Sequence, residues 1–407
     1  MNKNILSDRI GRLSESATLE MTRKSRELKA KGKDIITLSI GEPDFNTPTA
    51  IKKAGKDAID NNITHYPPVP GFIELRQAIA DKLKRDNGLT YSASQIVVSN
   101  GAKQSLTNIF MVLLNKGDEV IIPSPYWVSY PEMIKMADGK SVFVDAGIET
   151  DFKVTPKQVE AAITPKTKAF LFNSPNNPTG TVYSKEELHA LAKIFEKYPD
   201  IVIVSDEIYE HILFEGKHES IAQFDEIKDQ VIIVNGVSKG FAMTGWRIGY
   251  SAAPQFFTDA LNKFQGQYTS GPGTISQMAA KQAMLTDPKT SKELQQMVST
   301  FKERRDLLIE LMKDIPGVKT NVPKGAFYLF PDVSSYFGKS DGDNVINNSN
   351  DLCMYLLNKA HVALVPGEAF GSPQYIRISY ATSNELIIEA VKRIKVALDN
   401  LINTERS

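Results

Sequence analysis

Five short runs, apolar almost throughout, constrain this chain more than any other feature: Ile96–Ser99, Glu119–Ile122, Ala169–Phe172, Ile201–Val204 and Val231–Val234. A strand that alternates apolar and polar residues keeps one wet face, whereas a strand apolar at every position is covered on both. The segments between these runs read as helices. One opens at Ser184 with Glu187 three residues on, a capping box in which each side chain satisfies a free amide of the first turn. The expected fold is therefore α/β, a mainly parallel sheet with helices on both faces. Such sheets bind ligands at the carboxyl ends of their strands. Here each run is followed by a residue that a plain turn does not require: Gly101, Trp127, Asn177, Asp206 and Lys239 in turn.

The rest of the chain is organised around that core. With 407 residues it is long enough for two domains. A helical pattern runs from Glu15 to Lys31, a strand-like run spans Ile35–Ile40, and Gly41–Phe45 is a turn by composition. Helices are expected near 48–61 and 72–86, separated by a stiff linker, His65–Gly71, whose three prolines hold Tyr66 in place. Beyond Tyr250 the pattern is mostly helical, with a long amphipathic stretch from Ser291 to Met312. A smaller α+β pattern follows, with strands at Ala326–Phe330, Val362–Val365 and Tyr375–Ser379 and a helix near 350–360. The last helix is expected over Ser383–Ile402, entered through Thr382 and Glu385 at capping-box spacing. The polar stretch 339–350 reads as a surface insertion. The expected division is a large domain of residues 48–295 and a small one built from 1–47 and 296–407.

Composition narrows the function classes. Lys plus Arg and Asp plus Glu number 48 each, so no charge excess points to nucleic acid or a membrane surface. The single cysteine, Cys353, excludes an intrachain disulfide and fits a reducing compartment. The first residues show no apolar leader, and no run is long enough to span a bilayer, so a cytoplasmic protein is expected. The five histidines are scattered without metal-ligand spacing, and no metal is expected.

The chemistry is carried by Lys239 and its surroundings. Its amine can condense with an aldehyde, and Arg247, eight residues on, can grip a phosphate with two parallel N–H groups. A phosphorylated aldehyde such as pyridoxal phosphate gives every strand-end residue a task. Lys239 holds the aldehyde and, once displaced, moves the substrate's α-proton. Asp206 keeps the pyridine nitrogen protonated, which makes the ring an electron sink. Asn177 and Tyr209 suit the ring hydroxyl, and Trp127 offers a flat face. Gly101 and Ala102 open a helix whose amides and dipole suit the phosphate, with Ser238 and Arg247 completing that site. Taken singly, Trp127 is a core side chain, Asp206 a helix cap and Asn177 the start of a turn. Taken jointly, each at a strand end, they form one cofactor site.

These motifs resemble those of class I aminotransferases among the fold-type I pyridoxal-phosphate enzymes, and specifically the prokaryotic aspartate aminotransferase branch. The resemblance rests on Gly41–Phe45, Ser174–Gly180, Ser205–Tyr209, Ser238–Gly249 and Tyr375–Tyr380, and it covers essentially the whole chain. It implies a homodimer with shared active sites, in which Tyr66 reaches the phosphate of the neighbouring chain. It also implies that Arg377 grips the substrate α-carboxylate beside Gly41, with Trp127 and Asn177 also facing the substrate.

The substrate side chain is the open point. One branch of these enzymes grips the distal carboxylate with an arginine near residues 264–272, but this chain has no arginine between Arg247 and Arg304. The other branch uses a lysine at the helix-opening glycine motif, here Lys103. The expected reaction is transfer of the amino group of L-aspartate to 2-oxoglutarate by a ping-pong mechanism. Transaminases of aromatic, kynurenine or prephenate-type substrates, and carbon–sulfur β-lyases, share the same cofactor residues and remain alternatives. A regulator built on an aminotransferase-like domain would need an attached DNA-binding module, and the pattern begins within about fifteen residues of the first.

Overall fold

The computed structural model of the chain describes residues 5–15 and 17–403. Met1–Asn4, where the leader reading begins, and Ser16, inside the first expected helix, lie outside the described residues. After a helix at Ala17–Ala30, the strand β1 (Ile36–Thr37) is followed by helices Thr49–Asp60 and Ile73–Lys82. Only two residues of the expected Ile35–Ile40 strand join a ladder.

The core is one seven-stranded sheet of β2 (Ile96–Ser99), β3 (Glu119–Ser124), β4 (Lys140–Asp145), β5 (Thr167–Asn173), β6 (Val202–Asp206), β7 (Val231–Gly236) and β8 (Gly249–Ala252). Their spatial order is β2-β8-β7-β6-β5-β3-β4, and β8 alone runs antiparallel to its neighbours. Successive residues of a strand point to opposite faces, so each apolar run supplies two cores at once. Ile121, Phe170, Ile203 and Ile233 enter the core on one face, and Val120, Leu171, Val204 and Val234 the core on the other. Each such side chain, fully buried, contributes about 1.5–3 kcal/mol.

Two strands were not legible in the sequence. β4 is an edge strand, mostly exposed or half-buried, so its composition is mixed. β8 has the sequence Gly-Tyr-Ser-Ala, in which Tyr250 alone favours a strand, and it is held as one by β2 and β7 on either side.

The helix Lys185–Phe195 has the expected Ser184–Glu187 capping box, and Ser291 caps the long helix Lys292–Lys313. The last helix, Asn384–Asp399, departs from expectation at both ends. Its cap is Ser383, whose side chain accepts from the Leu386 amide, rather than Thr382. It also stops before Ile402, because that residue pairs as a strand.

Past the long helix, β9 (Tyr328–Leu329), β10 (Lys339–Asp341), β11 (Asn344–Val345), β12 (Val362–Ala363), β13 (Val365–Pro366), β14 (Ile376–Ser379) and β15 (Ile402–Asn403) form three small sheets. The polar 339–350 stretch contains the hairpin β10–β11, to which β15 adds a third strand. β13, β14 and β9 form an antiparallel sheet, and β1 pairs in parallel with β12. The Ser379 amide donates to the Leu38 carbonyl at 2.8 Å. The two ends of the chain are thus sewn together, which brings Gly41 and Arg377 to the same place. No helix among the described residues is long and apolar enough to cross a membrane.

Candidate active site

At the carboxyl end of β2 the chain turns through Gly101, whose φ of +89° lies where side chains are strained, and enters the helix Ala102–Leu113. The first amides of that helix have no intrahelical partner and point into the turn. Arg247 lies beside them, itself in left-handed conformation at φ +56°. Its guanidinium donates to the Thr244 carbonyl at 2.8 Å and more weakly to that of Asn100 at 3.4 Å. A Cβ on Gly101 would collide with this guanidinium, and one on Gly249 would collide with the Ala102 amide. The result is a cradle of amides and one cation, and no carboxylate among the described residues pairs with Arg247.

Lys239 follows β7, and its ammonium donates to the Gly41 carbonyl at 2.6 Å. Burial, reinforced by Arg377 and Arg247, pulls its pKa down to about 8 against the opposing pull of Glu42 and Asp206. Asp206 ends β6. Burial pushes its carboxyl up to about 6, although the Tyr130 hydroxyl donates to Oδ2 at 2.7 Å and the Ile208 amide to Oδ1 at 3.2 Å. A buried acid this reluctant to ionise is short of a cationic partner. The Tyr209 and Tyr328 hydroxyls are 2.8 Å apart, and burial drives the proton affinity of both upward.

Arg377, on β14, is buried with no carboxylate partner among the described residues. One guanidinium nitrogen donates to Asn177 Oδ1 at 2.9 Å and another to the Ser39 carbonyl at 2.6 Å, while Nε has no partner. The guanidinium lies 4.6 Å from the Tyr328 ring centre and 5.1 Å from that of Phe370. An arginine held this way is oriented for an anion supplied from outside. Lys103, one residue into the helix, places Nζ 5.0 Å from the Trp127 ring centre. Burial and then Arg247 lower its proton affinity.

A cavity of about 320 Å³ joins these groups. Gly41, Ala102, Lys103, Trp127, Asn177 and Asp206 line it, as do Tyr209, Ser238, Lys239, Arg247 and Arg377. Gly101 lies just behind, against Arg247. Tyr66 is not brought in: its side chain is 98% exposed on this chain. Among the groups in the cavity wall that sequence reasoning passed over are Asn173, Tyr130, Tyr328 and Thr18. Asn173 ends β5 and sits where the strand-end rule points. Tyr130 opens the helix Tyr130–Met136, three residues past Trp127. Tyr328 and Thr18 carried no signal, because their approach depends on how the chain ends pack.

The cavity has the features a pyridoxal phosphate site requires: an anion cradle that two missing Cβ atoms keep open, a buried amine, an under-partnered acid and an orphaned guanidinium nitrogen. Comparison with known proteins agrees. The family model "Aminotransferase class I and II" matches residues 33–394. A bifunctional aspartate aminotransferase and glutamate/aspartate-prephenate aminotransferase of Petunia hybrida is 48% identical over 97% of this chain and 82% of its own. An aspartate aminotransferase of Bacillus sp. is 48% identical over 96% of this chain and 98% of its own. Among solved structures, the aspartate aminotransferase of Rhizobium meliloti superimposes with a TM-score of 0.94 at 40% identity, covering 98% of this chain and 99% of that one. That of Thermus thermophilus with maleate gives 0.91 at 41%, covering 96% and 99%. With the matched region spanning both the strand-end residues and Arg377, the chain belongs to the class I and II aminotransferases.

Proposed function

We propose that the chain is a pyridoxal-phosphate-dependent aminotransferase moving the amino group of L-aspartate to 2-oxoglutarate in two half-reactions. The observation that carries the substrate assignment is a pair of cations on one cavity. Arg377 has no acid of its own, and Lys103 stands beside Trp127. The first suits an α-carboxylate and the second a distal one. The Thermus relative with maleate, a dicarboxylate, supports this reading.

Bound pyridoxal phosphate supplies the electron sink that stabilises the carbanion left when the α-proton departs. The chain's own groups do the rest. The Gly101 and Ala102 turn, Ser238 and Arg247 hold the phosphate. Asp206 holds a proton on the ring nitrogen, and Tyr130 keeps that carboxyl oriented. Asn177 and Tyr209 serve the ring hydroxyl. Lys239 Nζ, drawn to about 8, has enough free amine near neutrality to carry the α-proton. Asn177 keeps the Arg377 fork in plane.

The same reading makes the active unit a cytoplasmic homodimer. A tyrosine left 98% exposed on a proline-stiffened loop fits one that serves a neighbouring chain. It also divides the chain at 48 and 295, supported by the β1–β12 pairing of the two ends. A second substrate class has some support, because relatives at 46–48% identity are named aspartate/prephenate aminotransferases. A lysine is a flexible point charge and accommodates distal carboxylates at more than one reach. The test is a substrate scan of the purified enzyme. Aspartate, alanine, phenylalanine and cystathionine are offered with 2-oxoglutarate, glutamate is offered with oxaloacetate, and prephenate is offered as acceptor. Aspartate should give the highest kcat/KM among the amino donors. Preference for phenylalanine, or pyruvate release from cystathionine, would refute the assignment.

A further inference from the structure

A second row of ionisable groups lies directly behind the cofactor-facing wall. Asp206 and Tyr209 line the cavity, whereas Glu207 and Glu210, one residue after each, turn into the interior and are 1% and 6% exposed. Glu207 Oε1 accepts from the hydroxyls of Ser205 at 2.9 Å and Ser220 at 2.6 Å, and Oε2 is 3.0 Å from His218 Nε2. Glu210 accepts from Lys82 and, at 2.8 Å, from Asn235, while its other oxygen accepts from Asn87 at 2.9 Å. Lys82 is fully buried at the end of the helix Ile73–Lys82. Asn235 lies on β7, four residues before Lys239, and its Oδ1 receives the Gly236 amide at 2.7 Å.

His211, from the same turn, approaches Glu210 at 3.3 Å. Tyr250 of β8 and Tyr91 face the carboxylates, while Arg85 and Asp86 act at longer range. Glu207, Glu210 and His218 offer atoms within 4.8 Å of one another, but the Lys82 ammonium on Glu210 already supplies a cation. Two carboxylates against one ammonium leave one negative charge, and His218 can balance it. Burial opposes protonation of His218, yet Glu207 and then Glu210 outweigh it and raise its pKa.

Buried ion pairs are a weak source of stability, and apolar residues of similar volume often do as well. This cluster lies one residue from the acid and one from the tyrosine that face the cavity. We propose that Lys82 and His218 are positioning residues of the transamination site: paired with Glu210 and Glu207, they pin the turn 206–210 and set the electric field at Asp206 and Lys239. The inference rests on the cofactor reading above. Neither residue touches the cavity, so each acts through the two glutamates.

The sign of the charge provides the test. The holoenzyme is titrated by visible absorbance, which reads the apparent pKa of the chromophore formed at Lys239. His218→Gln, which can still donate to Glu207, and Lys82→Met each leave a negative charge unbalanced and should raise that pKa. Glu207→Gln removes the carboxylate that holds the His218 proton against burial, so both charges go together and the pKa should stay close to wild type. Each upward shift is expected to be about half a unit, and the double variant Glu207→Gln/His218→Gln should return close to wild type. Melting of the apoenzymes is measured in parallel. A merely structural layer would lower the melting temperature in every single variant without ordering the spectral shifts by charge. Unchanged pKa values in both His218→Gln and Lys82→Met, or an equal upward shift in Glu207→Gln, would overturn the proposal. If one variant fails to fold, the signs of the others and of the double variant decide. A wild-type protein that forms no chromophore at Lys239 would overturn the cofactor reading itself.

Discussion

Gly101 and Arg247 fit against each other so closely that any side chain at 101 would displace the guanidinium. The φ of +89° at 101 adds strain for any other residue. Gly101→Ala should therefore weaken pyridoxal phosphate binding by about tenfold or more, the loss of one charge-assisted contact. Reconstitution of the apoenzyme, followed by quenching of Trp127 and Trp246 fluorescence, measures this. Wild-type affinity in the variant would show that the turn does not cradle the phosphate.

Lys239 is the buried amine nearest the chemistry. Borohydride reduction of the holoenzyme, followed by peptide mapping, should place the pyridoxyl group on it. Lys239→Ala should bind cofactor without a covalent link and lose nearly all turnover. A label on another lysine would refute the site.

The two cations should fail differently. Arg377→Lys loses the fork but keeps a charge, and should lower kcat/KM for every amino acid by on the order of a hundredfold. Lys103→Ser should lower it for aspartate by on the order of tenfold or more, with much less effect on alanine or phenylalanine. Equal losses for all substrates in Lys103→Ser would make that lysine a cofactor residue and remove the main support for a dicarboxylate.

Asp206 makes the apoenzyme pH-sensitive in a defined direction. Its folded pKa, about 6, is above the ordinary 3.8. The stability tied to this proton is therefore complete below pH 3.8 and lost as the pH rises through 6. Asp206→Asn never ionises. Its apoenzyme should be about 2–3 kcal/mol more stable than wild type at pH 8, with the gain absent at pH 4. Urea unfolding at the two pH values checks both signs, and a loss of stability at pH 8 would contradict them.

Tyr66 offers a test of assembly. If it serves the neighbouring chain, mixing Tyr66→Phe chains with Lys239→Ala chains creates dimers in which one site carries both defects and the other neither. Activity should then rise well above that of either parent. No recovery despite proven mixing would place Tyr66 at its own chain's site.

Much of this arrangement is legible along the chain. Continuous apolar runs betray strands buried on both faces, and the residues that follow β2, β3, β5, β6 and β7 fall at one edge of the sheet by construction. Lys239, Asp206 and the Gly101 turn were readable for that reason. β4 and β8 were not, since an exposed edge and a Gly-Tyr-Ser-Ala strand are made strands by their neighbours. Thr382 was mistaken for a helix cap because Ser383, next to it, has the same chemistry, and only the backbone turn selects between them.

The sequence alone determined five of the seven strands, their covered faces and the residues at their carboxyl ends, because these depend on local patterns of burial and turn geometry. Tertiary structure alone decided how the two ends of the chain meet. β1 pairs with β12 and the Leu38 carbonyl accepts from Ser379 of β14, while Gly41 meets Lys239 and Arg377 meets Asn177, contacts separated by 198 and 200 positions. It also decided that Glu207 and Glu210 would meet Lys82 and His218 behind the site. Such contacts leave no periodic trace, since nothing in a local run of residues records which distant side chain will balance its charge.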